Sequence, residues 1–309
     1  MRLVRGGLSF AAVVTLFLAF TPWVDSIFPN WLPPVQALIR VWAIVAVVGL
    51  VLSLFARAWW SMTAFFVAAL AASLVIVNVN VSNCAPSDIR LSVLVLNTEF
   101  SSAPPEEVAR EVAKRKVDVL ILAEVHTAYV EDLMAREELS DLRFRSGVTP
   151  DEVVPDGTVI LSRFEGKPFE VDGVAATFGQ PGLELFLGDK RVTVRAVHPK
   201  PPIPKWLPEW RVGLQELGMW QRTVKGEPII MAGDFNASRA HPAFRDASHR
   251  MDSAVGRVGK STWPDDRAFP PFTDIDHVLT REMVTLDHET LTFSETDHRG
   301  IWTNLAICK

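Results

Sequence analysis

Apolar residues follow two regimes along this chain. Up to about residue 81 they form long, nearly uninterrupted runs, and beyond residue 88 they form short runs divided by polar and turn residues. Three long runs stand out. Residues 6–24 carry no charge, residues 35–56 carry only Arg40, and residues 58–81 are uncharged and open on Trp59-Trp60. Each is close to the ~20 residues that cross a bilayer, and paired tryptophans suit a membrane interface. A cleaved signal peptide would share the basic start of the first run. No small-x-small cleavage site follows it, however, and two more runs come after, so the pattern predicts three transmembrane helices.

The later pattern predicts alternating strands and helices. Residues 91–96, 117–123, 158–161, 184–187, 192–197, 229–232, 278–279, 285–286 and 301–305 read as strands. Residues 104–116, 131–138, 209–225 and 242–249 read as helices; in the third, Leu214, Leu217 and Trp220 recur at helical spacing. The mixture of hairpins and crossovers predicts an α/β domain with a mixed sheet. Residues 78–88 are the one linker candidate, and the proline cluster at 199–208 reads as a loop just after a strand. The expected organisation is a membrane segment over 1–87 and a second domain over 88–309.

Charge divides at the same place. Up to Ser87 only Arg2, Arg5, Arg40, Arg57 and Asp25 are charged, a net of +3 in a chain of net −5, so residues 88–309 carry −8. Arg2 and Arg5 precede the first run and Arg57 separates the second from the third. The positive-inside rule then places the N-terminus in the cytoplasm and residues 88–309 outside it, with Arg40 as the single dissenter. The expected location is a multi-pass cell-membrane protein with an extracytoplasmic domain. The chain has two cysteines, Cys84 and Cys308. Both would lie on the oxidising side, where a disulfide persists; two unrelated thiols are the alternative.

Candidate chemistry clusters at strand ends. Gly233-Asp234-Phe235-Asn236 follows the apolar run 228–232. An Asp and an Asn two apart on extended backbone point the same way, and the pair suits phosphate: the carboxylate can take a proton from water and the amide can donate to a phosphoryl oxygen. Asn97, Glu124 and His198 each follow an apolar run; Asp276-His277 and Asp297-His298 each precede one. Singly, each has a plain reading: Asn97 a turn former, Glu124 a helix-start carboxylate, Asp276 a cap, His198 a satisfied histidine.

Their joint order resembles the endonuclease/exonuclease/phosphatase superfamily, which includes deoxyribonuclease I, the apurinic endonucleases, neutral sphingomyelinases and inositol polyphosphate phosphatases. The carrying motifs are Leu96-Asn97, Leu122-Ala123-Glu124, Val197-His198-Pro199, Gly233-Asp234-Phe235-Asn236, Ile275-Asp276-His277 and Thr296-Asp297-His298. They run from the start of the second domain to its end. Ala123 stands for a frequent Gln, Thr296 for a Ser, and His277 for a frequent aromatic.

The resemblance implies a four-layer α/β/β/α sandwich, deoxyribonuclease I-like, preceded by the transmembrane helices. It implies that Asn97, Glu124 and Asp297 hold Mg²⁺ (or Mn²⁺), and that Asp234 acts on the attacking water. Asn236 holds a phosphoryl oxygen, Asp276 orients His298, and His298 and His198 flank the phosphate, the first as base or phosphate-binding cation and the second as acid towards the leaving group. It also puts the first and last strands close together, which would let Cys84 and Cys308 bond.

The expected function is a membrane-anchored, divalent-metal-dependent phosphoester hydrolase, a phosphodiesterase in the first instance. Its expected partners are a phosphoester substrate (lipid, small molecule or nucleic acid) and the bilayer; no protein partner is inferable. Two rivals remain. A nuclease would need a local basic rim such as Lys200, Lys205 and Arg211, because the acidic domain offers no broad one. An inert ligand-binding ectodomain would be expected to lack part of the residue set, which is whole here.

Overall fold

The structure, a computed structural model, describes residues 2–171, 177–258, 260–265 and 270–309. Four helices come first: α1 (Arg2–Phe20), α2 (Leu32–Ala37), α3 (Ile39–Ala56) and α4 (Trp59–Val77). Three of them, α1 with the turn after it, α3 and α4, are long and apolar enough to cross a membrane. They pack through small side chains, with Ala12, Ala19, Ala46, Ala64 and Ala68 buried around Phe65. Small residues let helix backbones approach closely where lipid rather than water surrounds them. Gly49 carries this furthest, since a Cβ there would sit 2.4 Å from the Phe65 ring.

Two predicted boundaries shift. The second run, expected to begin at 35, starts as α2 at Leu32, because Pro33 and Pro34 occupy a first turn where no N–H is required. The chain then bends at Leu38 into α3. The third run, expected to reach 81, stops at Val77. Beyond it Asn80 bridges to Asp252, and the Ser253 N–H donates to the Asn80 carbonyl at 2.8 Å. Residues 78–88 are therefore tied down along their length rather than forming a free linker, and the Cys84 and Cys308 sulfurs are bonded.

Among the described residues, the rest of the chain builds two six-stranded sheets. The strands are β1 (Pro86–Asn97), β2 (Val119–Ala123), β3 (Phe144–Ser146), β4 (Thr158–Ser162), β5 (Gly166–Phe169) and β6 (Gly182–Leu187). They continue with β7 (Lys190–Val197), β8 (Ile229–Asp234), β9 (Asp252–Ser253), β10 (Asp276–Arg281), β11 (Met283–Leu291) and β12 (Gly300–Cys308). The helices are α5 (Pro105–Arg115), α6 (Thr127–Met134), α7 (Leu207–Thr223) and α8 (Pro242–Ala247). Helix α6 lies N-terminal to its predicted place, because its buried face is Tyr129, Val130 and Leu133. The short strands β3, β5 and β9 had no apolar run to announce them.

The sheet orders are β11-β12-β1-β2-β4-β3 and β5-β6-β7-β8-β10-β9. Each sheet holds one parallel pair, β1–β2 and β7–β8, joined by the crossover helices α5 and α7; the other pairs are antiparallel. Three apolar layers give the sandwich. Val93, Val95 and Ile121 of one sheet meet Val192, Val194 and Ile230 of the other. Leu94, Leu120 and Leu122 face Val108 and Val112 of α5. Ile229 and Met231 face Leu214 and Leu217 of α7. This is the α/β/β/α architecture that the motifs implied.

The helical bundle is docked on one end of the sandwich. Asp274 lies 3.5 Å from both Arg40 of α3 and Arg239. The backbone N–H of Ser238 donates to His241 Nδ1 at 2.9 Å, so His241 Nε2 carries hydrogen and donates to the Pro33 carbonyl at 2.9 Å. Arg245 donates to the Pro22 carbonyl at 2.6 Å, and Arg211 pairs with Asp25 at 2.7 Å. Arg40, which broke the charge rule in the sequence, thus has an acidic partner in the sandwich.

Candidate active site

Parallel pairing brings chemistry to one rim. The C-terminal ends of β1, β2, β7 and β8 deliver Asn97, Glu124, His198 and Asp234; antiparallel β10 and β12 bring Asp276 and His298 in from their N-terminal ends. Asp276 lies directly opposite Asp234 in the β8–β10 register. Gly233 has φ +149°, and a Cβ there would meet the Val197 carbonyl oxygen at 2.1 Å. Only glycine allows β8 to run so close to β7. Glu124 and Asn236 both sit at positive φ, 59° and 48°, a cost of order 1 kcal/mol or more that the surrounding structure must hold.

Asn97 ties the sheets together. Its Nδ2 donates to Glu124 Oε1 at 3.1 Å and to Asp234 Oδ2 at 3.1 Å, while its Oδ1 accepts from the Glu99 N–H at 3.0 Å. Glu124 also accepts from the Phe100 N–H at 3.2 Å. Asp234 accepts from the Asn236 N–H at 2.7 Å, and the Asn236 amide donates to the Pro199 carbonyl at 3.0 Å. Across the seam His298 Nδ1 donates to Asp276 at 3.0 Å, and its Nε2 lies 3.5 Å from Asp297 and 3.9 Å from Asp234. His198 Nε2 is 3.7 Å from Glu124, and its ring packs on Phe178 at 4.7 Å.

Burial sets the protonation states. It raises the Glu124 carboxyl and lifts Asp234 to about 7, where Asp276 adds to the effect and His298 opposes it. His198 is pushed down to about 3 by burial and by the nearby His298, so its imidazole is neutral. Burial also disfavours charge on His298, but Asp276, Asp234 and Asp297 together outweigh it and raise that histidine to about 10. The rim therefore pairs a fixed imidazolium with a carboxylate poised near neutrality.

The rim suits a hard divalent cation. Glu124, Asp297, Glu99 and Asp234 face a cavity that no Lys or Arg lines among the described residues, so the carboxylates concentrate negative charge on oxygen donors, the chemistry Mg²⁺ prefers. Asp234, Asp276 and His298 also lie close enough to share an ion. His298 donates to Asp276 through Nδ1, which leaves its Nε2 beside Asp297 and Asp234.

All eight predicted residues meet at this rim. Sequence reasoning missed the supports: Glu99, which accepts from the Asp297 N–H at 2.6 Å, and Trp263, whose Nε1 donates to Asp297 at 2.8 Å. Trp263 stands in a long loop with no periodic pattern to mark it. Thr296 keeps its hydroxyl in use, donating to the Asn97 carbonyl at 2.9 Å and accepting from the His298 N–H. His277 serves as an aromatic, buried against Phe235 and Phe244 with its Nε2 on the Ala237 carbonyl. Of the basic rim, Arg211 is turned to the bundle, and Lys200 and Lys205 lie over Trp206.

A two-sheet sandwich with acids and histidines gathered on one rim defines the class of metal-dependent phosphoester hydrolases. The chain belongs to the Endonuclease/Exonuclease/phosphatase family, whose model matches residues 78–298. No curated protein matches it in sequence. Among solved structures, D. rerio TDP2 complexed with single strand DNA product is similar at 14% identity and TM-score 0.58, covering 71% of this chain and 99% of that one. An endonuclease/exonuclease/phosphatase from Bacteroides vulgatus is similar at 15% and 0.55, covering 71% and 100%. Sphingomyelinase C from Streptomyces griseocarneus is similar at 16% and 0.52, covering 70% and 99%. At these identities the likeness carries the fold alone.

Proposed function

We propose that this protein is a membrane-anchored phosphodiesterase that works outside the cytoplasm with Mg²⁺ (or Mn²⁺). One observation carries the chemistry. Asp234, raised to about 7 by burial, and the Asp276-held imidazolium of His298 face the same cavity from opposite sheets. Asp234 takes a proton from water as the water oxygen joins phosphorus. One P–O ester bond breaks, and the leaving oxygen takes the proton on His298 Nε2. Asp276 holds Nδ1–H and so fixes the ring. Neutral His198 and the Asn236 amide, once turned from Pro199, bind phosphoryl oxygens. Glu124 and Asp297, braced by Asn97, would hold the cation, the Asn97 oxygen being engaged by the Glu99 N–H; when bound, the cation would neutralise charge building on the phosphoryl group.

The location rests on separate features. Three helices have the length and composition of spans. Arg5 lies against the Ala56 carbonyl at the end of the bundle far from the sandwich, beside Arg57, which is the cytoplasmic end by the positive-inside rule. The Cys84–Cys308 bond supports an oxidising compartment. Protease added to intact cells should release a soluble fragment beginning near residue 82; protection of the domain until permeabilisation would overturn the topology.

Asp234→Asn tests the chemistry, using hydrolysis of bis-p-nitrophenyl phosphate by the full chain in detergent. Loss of a general base lowers the rate by ~10²–10⁴, and EDTA should abolish activity. Wild-type turnover in the variant, or full activity in EDTA, refutes the mechanism.

A further inference from the structure

The cavity above the rim, about 730 Å³, is not made by the sandwich alone. Its floor is Glu124, Asp234, Asn236, Asp297 and His298. The cavity is also lined by Pro34, Ala37 and Leu38 of the helical bundle and by Pro201, Pro202, Ile203 and Trp206 from the proline loop after β7. Acidic groups and two apolar walls from different parts of the chain thus share one cavity.

The bundle wall has a definite depth. Its residues lie in α2 and at the bend before α3, just past a group of exposed aromatics: Trp23 at 50%, Phe28 at 64% and Trp31 at 47% exposure. Such aromatics sit at headgroup level. Helix α3, with 18 residues, spans about 27 Å at 1.5 Å per residue, close to the ~30 Å of the hydrocarbon core. With α3 filling that core, its beginning at Ile39 and the cavity wall stand at the outer headgroup layer.

From this juxtaposition we infer that the substrate is a lipid: a phosphoester resident in the outer leaflet, its phosphate on the acidic floor and its apolar chain leaving between Ala37–Leu38 and Ile203–Trp206. This rests on the reading of the rim as a phosphodiesterase and of the bundle as bilayer-spanning. A polynucleotide fits less well. It would bring several phosphates onto the acidic floor, with Lys200 and Lys205 gathered over Trp206 at one wall, whereas nucleic-acid grooves track the backbone with cations along their length. A lipid brings a single phosphoester for the bound cation and apolar surface for the walls.

The test uses full-length protein in phosphatidylcholine vesicles containing phosphatidylglycerol or sphingomyelin. Bis-p-nitrophenyl phosphate and single-stranded DNA serve as soluble comparators, each with Mg²⁺ and with EDTA. Ala37→Trp narrows the corridor from the bundle side. Ile203→Asp, at a position 43% exposed, puts a charge in it from the other side without disturbing a core. The expected result is metal-dependent hydrolysis of a vesicle lipid. Each variant should lower lipid turnover at least ~10-fold more than bis-p-nitrophenyl phosphate turnover, since roughly fourfold is lost per apolar methylene that goes unburied. If the soluble diester is cleaved while no lipid is, or DNA is cleaved in preference, or both variants affect lipid and soluble diester alike, the lipid assignment fails and the hydrolase reading stands. If no phosphoester is cleaved, both fail.

Discussion

The helical bundle and the sandwich solve burial in opposite ways. Inside the bundle most side chains are small, Ala12, Ala46 and Ala68 packed around Phe65 among them, and many large ones point outward: Phe10, Phe55 and Phe66 are 74%, 81% and 57% exposed. Inside the sandwich the side chains are large and branched, Leu94, Ile121 and Ile230 among them, and charge covers the surface. The sandwich carries its own solvent-excluding core, whereas the bundle turns much of its large apolar surface outward. Close approach in the bundle is also side chain on side chain, and so can adjust. At the sandwich rim it is backbone on backbone, and cannot.

Two glycines break the comparison most sharply. Gly233→Ala would drive a Cβ into the Val197 carbonyl from a φ of +149°, and the folded sandwich should be lost, a cost beyond about 4 kcal/mol. Gly49→Ala would meet only the Phe65 ring, which can turn aside, so the loss should be nearer 1–3 kcal/mol. Thermal unfolding in detergent separates the two; equal shifts would erase the distinction.

Reducing the Cys84–Cys308 bond should lower the stability of the sandwich by at most ~5 kcal/mol, because it reopens a loop of 224 residues, and should leave the helicity of the bundle intact. Unfolding followed by circular dichroism with and without reductant reads this, and a simultaneous loss of the helices would show that the two regions unfold as one.

Asp274→Ala should cost less, roughly 3 kcal/mol, by leaving Arg40 and Arg239 without the carboxylate between them. It should speed proteolysis at the seam, around residues 78–82, before activity falls. An unchanged cleavage rate would show that the seam is held elsewhere.

The effect of mild acid is smaller still. Burial pushes His241 down to about 4, below its ordinary 6.5, so the unfolded chain binds the extra proton in the interval between. Stability should be full above pH 6.5 and fall as pH drops towards 4. His241→Gln should flatten that part of the profile; an identical slope in the variant would assign the effect to other groups.

The sequence revealed most where pattern and chemistry coincided. Apolar runs ending in Asn97, Glu124, His198 and Asp234 located both the strands and the rim, because a parallel strand places its last residue at the ligand-binding edge. The three long apolar helices were legible from hydropathy, but their ends were not: beyond the stop at Val77, Asn80 pairs with Asp252, and such a contact leaves no local mark. Nor did the sequence indicate that Pro34, Ala37 and Leu38 face the rim residues. Short edge strands such as β9 exist only because a neighbouring strand offers them hydrogen bonds.

Arg40 also bears on the order of assembly. A chain leaves the ribosome N-terminus first, so α3 is in place long before Asp274 of the β9–β10 loop is made. During that interval the Asp274 contact does not yet exist. When β10 joins β8, Asp274 reaches Arg40 and the bundle becomes fixed against the rim. The late half of the chain therefore acts as a latch on the early half: in a protein stopped before β10, the bundle would not be locked into the geometry that forms the cavity.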